Sequence, residues 1–262
     1  MGEFKHKHSL GQNFLKSKKV LTDIIDSVDV KENDLIIEVG PGHGALTKYL
    51  KLFHANLRCF EVDTRVEKYL EQFKDEKTKI IFNDFLQVNL EEELRDIDYE
   101  DLYVIANLPY YITTPIIEKM ISSPLDVKAM VLMVQNEVAD RLSAKVGSKD
   151  YAAITVYLNY YYDVQKLFFV GRECFEPAPN VDSAVIKLER KNINYDLKDE
   201  KFFFDIVRES FFMKRKNLKN NLKKYDLEKI SNVLSNYGLT LQDRAEQVPL
   251  ECFIDIANEL SK

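Results

Sequence analysis

"IIEVGPGHGALT", residues 36–47, sets a β-type apolar run against three glycines and then the start of a helical pattern. Glycines at 40, 42 and 44, between a strand and a helix, allow a tight turn and let a ligand approach bare backbone. The spacing is G-x-G-x-G with Pro41 inside the loop, where a dinucleotide fold reads G-x-G-x-x-G. Alone, such a turn is as compatible with a plain positive-φ turn as with a ligand site, so its surroundings decide.

Those surroundings alternate. Short apolar runs at 34–40, 57–62, 79–82, 102–108 and 127–135 read as buried strands. Amphipathic stretches such as "GALTKYLKLF" (44–53) and "TRVEKYLEQF" (64–73) fall between them. Strand and helix in turn imply right-handed crossovers and a parallel sheet covered on both faces. Two later runs, 164–170 and 183–189, are separated by a loop too short for a crossover helix and should pair antiparallel at one edge. The expected fold is α/β and Rossmann-like, with a mostly parallel seven-stranded sheet, an antiparallel edge and a small all-helical C-terminal domain. Near "KNINYDLKDE" (191–200) the chain turns polar and only helical patterns follow, which places the domains at 1–192 and 193–262. Gly238 is suited to end one helix of the second domain, and Pro249 to open the last.

The chain has 262 residues, 45% hydrophobic and 31% charged, an ordinary globular composition with room for a sizeable core. No run approaches the roughly 20 apolar residues of a membrane span. The start reads as neither a signal peptide nor a transit peptide, so a cytoplasmic location without membrane association is expected. Cys59, Cys174 and Cys252 lack metal-ligand spacing and read as reduced thiols, with no metal expected. Net charge is −6, yet residues 201–225 hold eight Lys and Arg against two acids, so a phosphate backbone is not excluded as a partner. On charge alone, that basic run is more readily a solvated helix face.

Two acids strengthen the glycine turn. Glu61 ends the next strand, where a carboxylate can accept both hydroxyls of a ribose, and Asp84 follows the third strand, where it can face an adenine edge. Turn, acid and acid at three successive strand ends make a nucleoside site. With Glu38 to Gly44 reading E-x-G-x-G-x-G, the constellation resembles the class I S-adenosylmethionine-dependent methyltransferases, whose cofactor has no phosphate to seat.

"ANLPYYITTP" (106–115) follows the fourth strand, at the same edge of the sheet. The lone pair of an exocyclic adenine amine is delocalised into its ring, and the base must leave its stack to be methylated. The Asn107 side-chain oxygen and the Leu108 carbonyl can accept both amine hydrogens, while Pro109 stiffens the turn that aims them. Tyr110 can stack on the base. The same residues also fit a strand-ending Asn-x-Pro turn with tyrosines in the core. Phe175, in "CFEPAPNVDSAV" (174–185), can close the other face of the base or serve as a core residue.

Taken in order, "HSLGQNFL" (8–15), "EVGPGHGALT" (38–47), "NLPYYITTP" (107–115), "FEPAPNVDSAV" (175–185) and "RAEQVPLECF" (244–253) resemble the ribosomal RNA adenine dimethyltransferases across essentially the whole chain. The resemblance implies that Asn13 and Leu15 help enclose S-adenosylmethionine, with Gly40, Gly42, Glu61, Asp84 and Asn107 lining it. It makes Asn107, Leu108, Pro109 and Tyr110 the target motif and Phe175 the second stacking aromatic. One bacterial branch dimethylates two adjacent adenines near the 3′ end of small-subunit rRNA during ribosome assembly. The other modifies a large-subunit adenine and confers macrolide resistance. Residues 133–156 look like the first branch, where R-x-x-A-x-P-G-x-K-x-Y is typical, although Val146 replaces the proline and Tyr111 stands where Asn often follows the target motif. A monomeric enzyme acting on the small ribosomal subunit is therefore expected, with Lys214, Arg215, Lys216, Lys219, Lys223 and Lys224 as its RNA-gripping surface. The rivals are the resistance-type enzyme, a nicotinamide-dependent oxidoreductase and a non-catalytic assembly or transcription factor of the same fold.

Overall fold

The computed structural model describes residues 13–262. The part of "HSLGQNFL" at 8–12 lies outside the described residues. Seven strands form one sheet: β1 (Leu35–Val39), β2 (Asn56–Glu61), β3 (Thr78–Phe82), β4 (Leu102–Asn107), β5 (Val127–Gln135), β6 (Tyr162–Val170) and β7 (Ser183–Arg190). Their spatial order is β3-β2-β1-β4-β5-β7-β6. β1 runs parallel to β2 and β4, with Val39 opposite Phe60 and Ile37 opposite Val104. β2–β3 and β4–β5 are also parallel, whereas β7 runs antiparallel to β5, pairing Ser183 with Gln135.

β1 is buried at every position, and β4 at all but its last, which is why these segments read as continuous apolar runs without alternation. The expected helices beside the sheet are shorter and less regular than their patterns suggest. Residues 44–53 give one α-turn, Thr47–Leu50, continued as 3-10 helix over Lys51–Phe53. Residues 64–73 form α-helix only over Glu67–Leu70, between two 3-10 turns. Longer helices are capped by side chains, as in Glu200–Ser210 (Asp199) and Leu227–Asn236 (Asp226). Gly238 has φ +69° just beyond the second of these, and Pro249 precedes Leu250–Leu260.

The described residues divide into two compact units, one of residues 13–139 and 165–190, the other of 140–164 and 191–262. Residues 140–164, which the sequence boundary places in the 1–192 domain, thus pack with the C-terminal helices. The cause is burial: Tyr151 and Val156 belong to the same apolar core as Phe203, Ile206, Leu218, Ile230 and Phe253. The sheet unit has its own core, built on Ile36, Leu57, Cys59, Tyr103, Ile105, Val131 and Val185. Cys59 and Cys252 are buried, and all three cysteines are unpaired thiols. Among the described residues no helix is long and apolar enough to cross a membrane, and no cluster of His, Cys, Asp and Glu could hold a metal ion.

Candidate functional site

Four neighbouring strands of the sheet unit end at one cleft. Gly40 follows β1, Glu61 closes β2, Asp84 follows β3 and Asn107 closes β4. The cleft lies where β1 is flanked by β2 on one side and β4 on the other, the place where the direction of winding reverses in such sheets.

The glycine turn is bent by three positive φ angles, +73° at Gly40, +57° at Gly42 and +81° at Gly44. A side chain is also excluded by packing. A Cβ on Gly42 would stand 2.8 Å from the Phe14 ring, and one on Gly44 would stand 2.1 Å from Phe73. The Gly40 N–H donates to the Phe60 carbonyl at 2.8 Å, and the Gly42 N–H donates to Glu61 Oε2 at 3.0 Å. Glu61 Oε1 accepts the Asp63 N–H at 2.9 Å. Burial pushes the Glu61 carboxyl up, partly offset by these backbone donors. No Lys, Arg or His lies within ion-pair distance of it among the described residues.

A second buried acid, Glu38, belongs to the same cleft. Its Oε2 accepts the Thr47 hydroxyl at 2.7 Å and the Cys59 thiol at 3.4 Å, and burial pushes its carboxyl up to about 7. The sequence reading assigned it no role, although a charged residue within the apolar run "LIIEV" was its signal. Asp84 is exposed; its Oδ1 accepts the Leu86 N–H at 3.0 Å, which starts a 3-10 turn that carries Phe85 and Leu86 into the cleft wall.

The loop of residues 107–110 forms the facing wall. Asn107 Nδ2 donates to the Asn13 carbonyl at 3.4 Å, and no donor reaches the Asn107 amide oxygen among the described residues. The Leu108 N–H is tied to the Met133 carbonyl at 3.1 Å, which fixes the Asn107–Leu108 peptide plane. Pro109 packs against the turn, since a Cβ on Gly40 would meet its ring at 3.7 Å. Tyr110 is half-buried, with its hydroxyl 2.7 Å from Ser183 Oγ. Tyr111 is exposed at the cleft; its hydroxyl is pushed up by partial burial and then by the Asp84 and Glu61 carboxylates.

Asn13, Leu15 and Phe175 close the remaining side. Phe14–Leu15 and Phe175–Glu176 form a two-stranded antiparallel ribbon in which Leu15 pairs with Phe175. Phe175 lines the cleft yet is only 1% exposed, so here it is packed as a core residue with one edge toward the cleft. Phe14 stacks on His43 with ring centres 4.0 Å apart, and His43 in turn meets Tyr69 at 4.2 Å. This aromatic cover over the glycine turn has no signal in the sequence, where Phe14 stands between Asn13 and Leu15 and His43 lies about thirty residues on.

The lining residues test what ligand fits. Among the described residues they include Glu38, Glu61 and Asp84 but no Lys or Arg. Such a cleft repels a pyrophosphate and favours a ligand with hydroxyl donors and positive charge. S-adenosylmethionine has a ribose diol, an ammonium and a sulfonium, and so fits the groups present.

In the helical unit, Lys214, Arg215, Lys216, Lys219, Lys223 and Lys224 are all exposed. Only Leu218–Asn221 in that stretch is α-helical, so the run is not a continuous helix face. Lys224 Nζ is 2.5 Å from Glu209 and lies over the Tyr225 ring. The other five have no carboxylate within ion-pair distance among the described residues.

Comparison with known proteins is consistent along the chain. A family model described as ribosomal RNA adenine dimethylase matches residues 3–262. A ribosomal RNA small subunit methyltransferase A from Anoxybacillus flavithermus is 39% identical over 98% of this chain and 91% of its own length. Its counterpart from Geobacillus kaustophilus is 40% identical, over 98% and 92%. Among solved structures, a dimethyladenosine transferase from Plasmodium falciparum matches with a TM-score of 0.74 at 25% identity, over 93% of this chain and 95% of that one. The 23S rRNA methyltransferase ErmE matches with a TM-score of 0.76 at 22% identity, over 95% and 100%, a likeness of fold alone. The chain belongs to the ribosomal RNA adenine dimethylase family.

Proposed function

We propose that this protein dimethylates N6 of two adjacent adenines near the 3′ end of small-subunit rRNA, with S-adenosylmethionine as methyl donor, as a step of ribosome assembly. One observation carries the chemistry. The acid-lined nucleoside end and the Asn107–Tyr110 loop are two walls of a single cleft. The small-subunit target rests on relatives near 40% identity that are named for that subunit. The resistance-type alternative has behind it a structural likeness at 22% identity.

Bound there, S-adenosylmethionine would supply an electrophilic methyl on its sulfonium. Glu61 would accept the ribose hydroxyls, Asp84 the adenine amine, and the bare backbone at Gly40 and Gly42 would lie along the ligand, with Asn13 and Leu15 enclosing it. The Asn107 amide oxygen and the Leu108 carbonyl would accept the two hydrogens of the target amine. That arrangement draws its lone pair out of conjugation and towards the methyl. Tyr110 would hold the face of the flipped base, and Phe175 would take the other face once its packing against Leu15 loosens. No strong base is needed, because the methylated amine is acidic enough to lose its proton to water. The working unit in this reading is a monomer. The helical unit would grip phosphates through Lys214, Arg215, Lys216, Lys219, Lys223 and Lys224.

The test offers radiolabelled S-adenosylmethionine with unmethylated small subunits, large subunits and naked rRNA. Label is expected on two adjacent adenines of the small subunit. Label on the large subunit, or on nothing, would overturn the assignment.

A further inference from the structure

In the helical unit the chain leaves the helix Glu200–Ser210 through two consecutive phenylalanines with opposite fates. Phe211 packs inward, its ring 6.1 Å from both Tyr151 and Phe253. Phe212 is 81% exposed, the most exposed large apolar side chain among the described residues, and Met213 beside it is 39% exposed.

The loop that presents them is held firmly. Asn221 Oδ1 accepts the Met213 N–H at 3.2 Å, and Asn221 Nδ2 donates to the Ser210 carbonyl at 2.6 Å and to the Met213 carbonyl at 3.4 Å. The Phe212 N–H donates to the Glu209 carbonyl at 3.1 Å, and the Lys216 N–H closes a turn on the Met213 carbonyl at 2.8 Å. One asparagine thus clamps the backbone on both sides of Phe212. A ring fixed in water gains nothing for the isolated chain, but a preorganised ring loses little freedom when something covers it.

Charge says what that is. Lys214, Arg215 and Lys216 follow immediately and have no carboxylate partner among the described residues, and Lys219 and Lys223 extend the field. A flat apolar ring ringed by uncompensated cations suits an unpaired nucleotide, whose base offers a π-face and whose phosphates meet the cations. An apolar protein groove would leave those charges unmatched.

We propose that Phe212 is an aromatic anchor that stacks on an unpaired nucleotide of small-subunit rRNA, with Met213 filling beside it and Lys214, Arg215 and Lys216 holding the flanking phosphates. This rests on the small ribosomal subunit being the partner, as proposed above.

The chain has no tryptophan, so Phe212→Trp introduces a single reporter at the anchor. Added to unmethylated small subunits, its emission should fall at least about twofold, because a nucleobase stacked on indole quenches it. Phe212→Ala should weaken binding to the same subunits about tenfold. It should leave the slope of log Kd against log salt unchanged, since stacking releases no counterions. Its thermal unfolding should match wild type, because the ring faces water. A blue shift without quenching would mean that the ring enters a protein surface, and would overturn the proposal. So would unquenched emission together with wild-type affinity for Phe212→Ala. If wild-type protein labels small subunits while either of those results is found, the anchor alone is wrong. If wild-type protein neither binds nor labels them, the assigned function falls and the anchor with it.

Discussion

The Thr47 hydroxyl donates a 2.7 Å hydrogen bond to the Glu38 carboxyl, joining the first turn of the helix after the glycine loop to the strand before it. Glu38 is 1% exposed, and burial pushes its carboxyl from 4.5 up to about 7. Between those two pH values the folded state holds a proton that the unfolded chain has released, so stability falls as pH rises through that window. Above about 7 both states are ionised and the burial penalty is fully present.

Glu38→Gln removes the titration while keeping an amide oxygen for Thr47. Relative to wild type, the variant should gain about 3 kcal/mol between pH 4.5 and 7 and then level off. Urea unfolding at intervals across that range measures it, and a difference independent of pH would refute the assigned burial effect.

Gly44→Ala probes the turn itself. At φ +81° any side chain is strained by about 1–2 kcal/mol. The new methyl would also meet the Phe73 ring at 2.1 Å, and overpacking of that kind costs about 1–3 kcal/mol. A loss of roughly 2–5 kcal/mol in unfolding free energy is expected. A loss below about 1 kcal/mol would mean that the turn rearranges freely.

Much of this site was legible in the sequence because strand ends are fixed by where buried apolar runs stop. Gly40, Glu61, Asp84 and Asn107 each stand at or just past such a stop, and parallel pairing brings the four together. What stayed illegible depends on contacts between distant segments. Nothing in the composition near 139–140 announces that Tyr151 and Val156 join the core of Phe203 and Phe253. Lys224 counted as an available cation until folding brought Glu209 to it. Phe175 carries the same residue type whether it stacks on a base or fills a core, and only its pairing with Leu15 reveals how deeply it sits.

Asn107 and Tyr110 should separate in their effects. Asn107→Ala is expected to fold and still bind S-adenosylmethionine, more weakly for the lost lining contact, while turnover at saturating cofactor falls about 10²–10³-fold, the scale of losing one preorganised polar group at a reacting centre. Wild-type turnover would exclude an amine-orienting role. Tyr110→Phe keeps the stacking face and should hold turnover within about threefold, with a stability loss of about 1 kcal/mol as buried Ser183 loses its partner. Tyr110→Ala removes the face and should lower kcat/KM by tenfold or more. If the two Tyr110 variants lose activity equally, the hydroxyl rather than the ring is what matters.

Lys214, Arg215 and Lys216 are uncompensated by any carboxylate among the described residues, so their partner is expected to be phosphate. Each phosphate neutralised lowers the slope of log binding constant against log salt by about 0.7–0.9. Changing all three to Ala should flatten the salt dependence of small-subunit binding by about two units and weaken affinity most at low salt. Thermal unfolding should stay near wild type, since all three side chains face water. The sheet unit's cleft should be untouched, so S-adenosylmethionine affinity measured by calorimetry should be unchanged. A parallel downward shift at every salt concentration would instead point to a distorted loop, and an unchanged titration would remove these residues from the RNA-contacting surface.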